Sequence, residues 1–576
     1  MPTPIIVGFS SSNRVPGYYG ETVYGAGAIS ASSIPLVLLL AGLKNPSGGT
    51  ATSNQDIVDI LSADAADAAF GAGYELSRMC YAALKVPGVK IKAAPITEAV
   101  GAAAATQVIT IGGSWSSVGT IKLRINGETI THSAGSTQTV ADFCTTLAAV
   151  LNENPRRPYT AAATATQVIV TFKSKGARGN NYITFLDSSL VPSGMTVYIA
   201  GPTWTATTAK TASAPISFVV PTTANGFYYK CTTGGTTAGS EPVWPTTIGA
   251  TVVDSGVTWT CWGKVVTGGG TTAGGGSGSE SASTLLGLLL PNGFDRIVCS
   301  QNDSTNLGLW KTQLNDQAGP TRGLLQHFIT GVNGTLAAAT SLATTLNAER
   351  MQIVWQLNGE TAPWEISSYL GALRCATEQA DPDAAYDDAK LPGVAPHSQP
   401  ADRPDNSVLQ TAINNGLTAI KTSENGSDAL ICRSVTTHTL FGSTPDYRTL
   451  DTSDAYVPDF VRRDLGLYWY TVFKPANPRN ADNPPADQKA ALSGVATPDL
   501  WNSHVEAKLR NYEKGILASG SAPTAATVAP IIINVDFNKP SSGYDPIAKR
   551  IMSAVPVEPA PNNHQIGVSV RQVTPS

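Results

Sequence analysis

Apolar residues along the chain fall into blocks of different period. Leu36 to Leu43 is apolar throughout, which predicts a short strand buried on both faces. From Ile57 to Leu84 the spacing turns helical, with Phe70, Leu76, Met79 and Leu84 along one side. Lys90-Ile91-Lys92 then predicts another short strand.

A period of two takes over between residues 99 and 200. Ile121-Lys122-Leu123-Arg124-Ile125 and Glu128-Thr129-Ile130-Thr131 flank Asn126-Gly127, a strong hairpin signal. Val140 to Leu151 has helical spacing. Val168 to Phe172 and Tyr182 to Phe185 are strand-like, with Gly176 and Gly179 in the turn between them. The block predicts a compact β-rich insertion with one helix. Residues 214–265 form a further small unit holding Trp244, Trp259 and Trp262, with Cys231 and Cys261 near its ends. A unit this short has little core, and a Cys231–Cys261 disulfide would help close it. Residues 267–283, TGGGTTAGGGSGSESAS, have the composition of a flexible linker.

From residue 285 strands and helices alternate. Asp295–Cys299, Met351–Trp355 and Ala429–Cys432 read as strands. Thr305–Asp316, Leu336–Asn347, Trp364–Glu378 and Val408–Ile420 read as helices, and the alternation predicts a layered α/β core. Near the end, Thr497 and Pro498 open an amphipathic helix as N-cap and first residue. Leu500, Trp501, Val505, Leu509, Tyr512 and Ile516 run along one side of it, and Lys508, Arg510 and Lys514 lie elsewhere. Two extended stretches have no partner nearby in the sequence. One carries Tyr18, Tyr19, Thr22, Val23 and Tyr24 after the turn Arg14-Val15-Pro16-Gly17; the other is Gln565–Val570, with Ile566, Val568 and Val570. A lone strand is unstable in water, so each needs a partner.

The 576 residues exceed what one core organises. A net charge of −4 with 14% charged residues argues against nucleic-acid binding. No apolar run is long enough for a membrane helix, and the N-terminus lacks the basic-then-apolar pattern of a secretory signal. The seven cysteines include no C-x-x-C pair, and their odd number leaves at least one unpaired within the chain; most read as buried thiols.

The catalytic patterns H-E-x-x-H, G-x-S-x-G and G-x-x-x-x-G-K-[ST] are absent from the sequence. Gly71-Ala72-Gly73 lacks the third glycine of a dinucleotide fingerprint, and the six histidines show no ligand spacing. Asp381-Pro382-Asp383, with Asp387 and Asp388, lacks the glycine and closing glutamate of a calcium loop and reads as a solvated loop. The expectation is a chain that is not an enzyme and has no catalytic residue, cofactor or metal.

Several stretches, in order, resemble the tail sheath proteins of contractile phage tails of the Mu-like type. They are Arg14-Val15-Pro16-Gly17-Tyr18, Phe70-Gly71-Ala72-Gly73-Tyr74-Glu75-Leu76 and Lys175-Gly176-Ala177-Arg178-Gly179-Asn180. Then come Leu346-Asn347-Ala348-Glu349-Arg350, Asp381-Pro382, Leu391-Pro392-Gly393-Val394, Leu409 to Gly416 and Ile431 to Thr437. The resemblance covers roughly residues 10–200 and 285–576 and lies in the order of the set. The unit at 214–265 departs from it and looks like a small Cys- and Trp-containing module appended to other phage tail proteins.

The resemblance implies a multidomain α/β and α+β chain: a layered α/β sheath core with β-rich inserted domains and extended N- and C-terminal arms. The expected divisions are an N-terminal arm (1–30), a first core part (31–98), an inserted β-rich domain (99–200), an inserted Cys/Trp module (201–266), a Gly/Ser linker (267–284), a second core part (285–435) and a tube-facing C-terminal domain ending in an arm (436–576). It further implies a subunit that polymerises with itself as stacked hexameric rings around a tail tube protein. Baseplate and tail terminator proteins would be further partners, with no direct nucleic acid and no membrane insertion. The place would be the virion tail, assembled in the host cytoplasm. The two arm strands would pair with neighbouring subunits, the alternative being that they fold back on their own subunit. Lys508, Arg510, Lys514, Lys549 and Arg550 are candidates to face the tube, a solvated helix face being the plainer explanation. Rival readings are the sheath of a tailocin or other contractile injection system, and a glycan-binding tail surface protein using exposed tryptophans.

Overall fold

The computed structural model describes residues 35–187, 189–213, 215–266, 270–289, 293–397, 399–473, 477–478, 495–517, 529–536, 539–545 and 550–561. Its centre is an eight-stranded sheet. Strands Lys90–Ile96, Val37–Leu43, Arg296–Cys299, His327–Val332, Met351–Trp355 and Leu417–Thr422 follow one another in parallel. The edges are antiparallel: Val58–Ile60 beside Lys90–Ile96, and Ala429–Ile431 beside Leu417–Thr422.

Both faces of this sheet are covered, which is why its strands are apolar without alternation. Leu38, Leu40, Val298 and Ile329 face the helices Glu75–Ala83 and Pro363–Ala380. Leu39, Ala41, Ile297 and Phe328 face Ser283–Leu289, Ser304–Ala318, Leu336–Leu346 and Asn406–Asn414. Pro363–Ala380 lies very close to the sheet. A Cβ on Gly371 would stand 2.5 Å from the Val298 side chain, so only glycine fits there.

The chain leaves the sheet after Ile96 and builds the insertion before returning at Arg296. The insertion consists of two four-stranded sheets with the helix Val140–Asn152 packed against them. The expected hairpin is present: Gly119–Ile125 pairs with Glu128–Ala134, and Asn126 and Gly127 take φ of 52° and 74°. The Cys/Trp unit folds as a third four-stranded antiparallel sheet over its own cluster, which includes Trp204, Tyr229, Cys231, Trp259 and Cys261.

Three expectations are corrected, and two elements come in addition. The helical stretch 57–84 is a short strand and two helices, Ala63–Phe70 and Glu75–Ala83, because Gly71 and Gly73 take φ of 88° and 76° and turn the chain. Val408–Ile420 is a helix to Asn414 followed by the strand from Leu417, the break falling at Gly416 with φ 77°. Strand His327–Val332 and helix Thr452–Tyr468, whose apolar residues are interrupted by Pro458 and by buried Asp459, Arg463 and Asp464, were not expected. The glycine-rich stretch is no loose linker where it is described. Thr271 and Thr272 pair with Thr184 and Ile183, and Gly274 and Ser277 bridge back to Thr106 and Ala103.

Candidate interaction surfaces

The body is joined to the insertion by ion pairs. Arg178, 9% exposed, bonds Glu75 at 3.1 Å and Glu280 at 2.6 Å. Arg78 holds Glu365 at 2.7 Å, and Asn126 of the hairpin turn donates to the same carboxylate at 2.8 Å. Arg124 bonds Glu360 at 3.0 Å. The residues that carry the sequence resemblance meet at such joints. Arg178 of one stretch grips Glu75 of another. Asn347, left-handed with φ 39°, holds the backbone at Thr439 and Leu440. Arg350 grips Asp459 at 2.8 Å.

Helix Pro498–Glu513 packs on helix Thr452–Tyr468, and Thr497 caps it as the sequence indicates, its hydroxyl accepting from the Leu500 backbone. Trp501, Val505, Leu509 and Tyr512 are buried, while Leu500 is exposed. Lys508 is corrected from an outward-facing cation to a core residue. Its ammonium is paired with the fully buried Asp464, which also accepts from the Tyr512 hydroxyl, and the Tyr468 ring lies 4.8 Å away. The reason is periodicity: Lys508 falls four residues before Tyr512 and beside Leu509 on the inward face. Arg510 is half-exposed and engaged by Glu506 and Asp536 at 2.8 and 2.7 Å. Lys514 is exposed at the helix C-terminus. Arg550 opens the strand Arg550–Ala554. Lys549, Tyr18, Tyr19, Thr22, Val23, Tyr24, Ile566, Val568 and Val570 lie outside the described residues.

The expected Cys231–Cys261 bond is not formed; both thiols are free and buried. Cys231 stands opposite Trp259 and Cys261 opposite Tyr229. Such diagonal neighbours are about 7–8 Å apart, wider than the roughly 4–7 Å a disulfide spans. Asp254 secures this unit instead, accepting the indole N–H of Trp204 at 2.8 Å and of Trp259 at 2.9 Å. Trp244 lies tilted against Tyr229 with ring centroids 4.3 Å apart, and Lys230 covers the Trp262 ring at 3.9 Å. Trp204, Tyr229 and Trp259 are buried in the core of the unit, and Trp244 and Trp262 are half-buried.

The carboxylate cluster is less solvated than expected. Burial and the neighbouring Asp381, Asp454 and Asp451 push the Asp383 carboxyl up to about 8, while Ser453 hydrogen-bonds to it. A cavity of about 10 Å³ lined in part by Tyr386, Asp387, Ser434, Asp451 and Ser453 lies beside it, room for about one water. Among the described residues no group of three or more His, Cys, Asp or Glu is placed to hold a metal ion. Also among them, no helix is long and apolar enough to cross a membrane.

No family model matches the chain, and no curated protein does. Solved structures do. A sheath tail protein from Listeria innocua aligns over 92% of this chain and 94% of its own, at 11% identity and a TM-score of 0.42. One from Desulfitobacterium hafniense aligns over 94% and 100%, at 10% identity and a TM-score of 0.41. The helical sheath of the anti-feeding prophage in its contracted state aligns over 53% and 79%, at 13% identity and a TM-score of 0.34.

Proposed function

We propose that this chain is the sheath subunit of a contractile tail. It polymerises as stacked hexameric rings around a tail tube protein, and contraction drives the tube through a host envelope. One observation carries the reading. The stretches that resemble sheath proteins join distant parts of the chain: Arg178 bonds Glu75, Asn347 the 439–440 backbone and Arg350 Asp459. Joints of this kind between distant parts of the chain suit a subunit that moves as a unit within a lattice.

In this reading the work is conformational. The arms carrying Tyr18 to Tyr24 and Ile566 to Val570 add strands to neighbouring subunits, so that the lattice stays connected as bodies rotate. Arg510 and Lys514 remain candidates for contact with an acidic tube surface, as do Lys549 and Arg550; Lys508 does not. Baseplate and terminator proteins bound the assembly at its ends, in the virion tail.

Negative-stain electron microscopy of the purified full chain tests the proposal. Hollow helical cylinders are expected, and deletion of residues 1–25 should reduce them to rings or monomers. Dispersed particles both alone and on co-expression with the neighbouring tube protein would overturn it.

A further inference from the structure

The order of strands reverses between Val37–Leu43 and Arg296–Cys299. The chain leaves the first of these for its neighbour Lys90–Ile96 on one side, and the second for His327–Val332 on the other. The helices on the two routes lie on opposite faces of the sheet, Glu75–Ala83 over one and Ser304–Ala318 over the other. A crevice therefore opens beyond the carboxyl ends of the two strands, at the place where open α/β sheets bind their ligands.

The crevice is built for a cation. Glu75, 2% exposed, is the first residue of its helix, where the backbone dipole favours a carboxylate, and the Leu43 backbone N–H donates to it at 3.0 Å. Glu280 is also buried, and its carbonyl accepts from Gln301 at 3.0 Å and from Asn306 at 2.9 Å, both buried. Gly42 keeps the floor clear: a Cβ there would stand 3.2 Å from Glu75 Oε1 and 3.5 Å from Ser300 Oγ. Ser300 is 1% exposed, and its hydroxyl has no hydrogen-bond partner among the described residues.

The insertion fills this crevice. Arg178 sets Nη2 and Nε against the two oxygens of Glu75, at 3.1 and 3.4 Å, and Nη1 against Glu280 at 2.6 Å. All three nitrogens are used, in the planar fork that a guanidinium has and an ammonium lacks. Neighbouring strand ends receive the insertion too. Asn333, after His327–Val332, donates to the Asn181 carbonyl at 2.8 Å, and the Ala362 N–H, beyond Met351–Trp355, donates to Asn126 at 2.8 Å. We propose that the crevice is a guanidinium-binding site and that the insertion occupies it as a tethered ligand, through Arg178. The carboxylates are held by the body and by the returning segment, so the site persists when the arginine side chain is taken away. This assignment rests on the geometry and not on the sheath reading.

A soluble guanidinium ion should then replace the missing side chain. Thermal denaturation of the full-length Arg178→Ala chain in about 20 mM guanidinium chloride, far below denaturing concentrations, tests this. The midpoint should rise by about 2 °C over that in equal sodium or ammonium chloride, whereas the unaltered chain gains nothing. Adding Glu75→Gln to Arg178→Ala should abolish the rise. If Arg178→Ala does not fold in sodium chloride, the fraction refolded on dilution from urea is read instead, and it should increase with guanidinium and not with ammonium. The absence of a guanidinium-specific gain in the measurement that applies, or a gain that survives Glu75→Gln, overturns the proposal.

Discussion

Arg178 of the insertion bonds Glu75 of the body at 3.1 Å, across a gap of 103 positions in the chain. The same guanidinium also holds Glu280 in the stretch that returns to the core. One cation therefore fastens three separate parts of the chain.

Arg178→Ala leaves two buried carboxylates facing one another without a cation. Losses of about 3–5 kcal/mol are typical when one partner of a buried pair is removed. Chemical denaturation of the variant should show a loss of that size. Limited proteolysis should then cut within residues 99–200 before the sheet. Unchanged stability would mean that the joint is redundant.

Lys508 and Lys514 should behave differently although both are basic residues near one helix end. Lys508→Met strands Asp464, and a loss of about 3 kcal/mol is expected from denaturation. Lys514→Ala lies on the surface and should stay within about 0.5 kcal/mol. If charge contacts set the tube register, Lys514→Ala weakens co-assembly with the tube protein without changing stability.

The sequence shows the outer layers of this design more clearly than its joints. The Asn126-Gly127 hairpin was legible because the turn chemistry is local. The Trp355 strand and the Thr497 cap were legible for the same reason. Lys508 was not, because a buried lysine is defined by Asp464, 44 positions away in the chain. The helix Thr452–Tyr468 carries Val457, Phe460, Val461 and Leu465 at helical spacing, but Pro458 and the buried Asp459, Arg463 and Asp464 interrupt that pattern. The stretch 270–280 looked loose because glycine serves two purposes. Here it permits close approach: a Cβ on Gly275 would lie 2.4 Å from the Trp262 ring.

Asp383→Asn should stabilise the protein near neutral pH. The carboxyl is held up at about 8, above its ordinary value near 4. The folded state therefore binds the proton that the unfolded state has released between these values. Stability from this group is full below about 4 and declines as pH rises to 8. Thermal denaturation should find the variant's advantage growing from pH 5 to pH 8. An advantage independent of pH would place the effect elsewhere.

The cysteines should resist reaction in the folded chain. Six of the seven are buried and Cys432 is half-buried. Burial pushes the Cys144 and Cys261 thiols up to about 11, and that of Cys299 to about 12. A thiol reagent at neutral pH should modify Cys432 first and the others only on denaturation. Non-reducing electrophoresis of oxidised particles should show monomer, and covalent ladders would contradict the burial seen here.

The long excursion between Ile96 and Arg296 sets a timetable for synthesis. Val37 donates to Asp295, which lies 258 positions further along the chain. At about 5–20 residues per second, the central strand emerges on the order of tens of seconds before its second neighbour. During that interval the insertion and the Cys/Trp unit are complete and can fold on their own cores. The half-built sheet meanwhile exposes one raw edge on the ribosome. A chaperone that shields extended apolar segments would then act on Val37–Leu43 above all others, before any lattice exists.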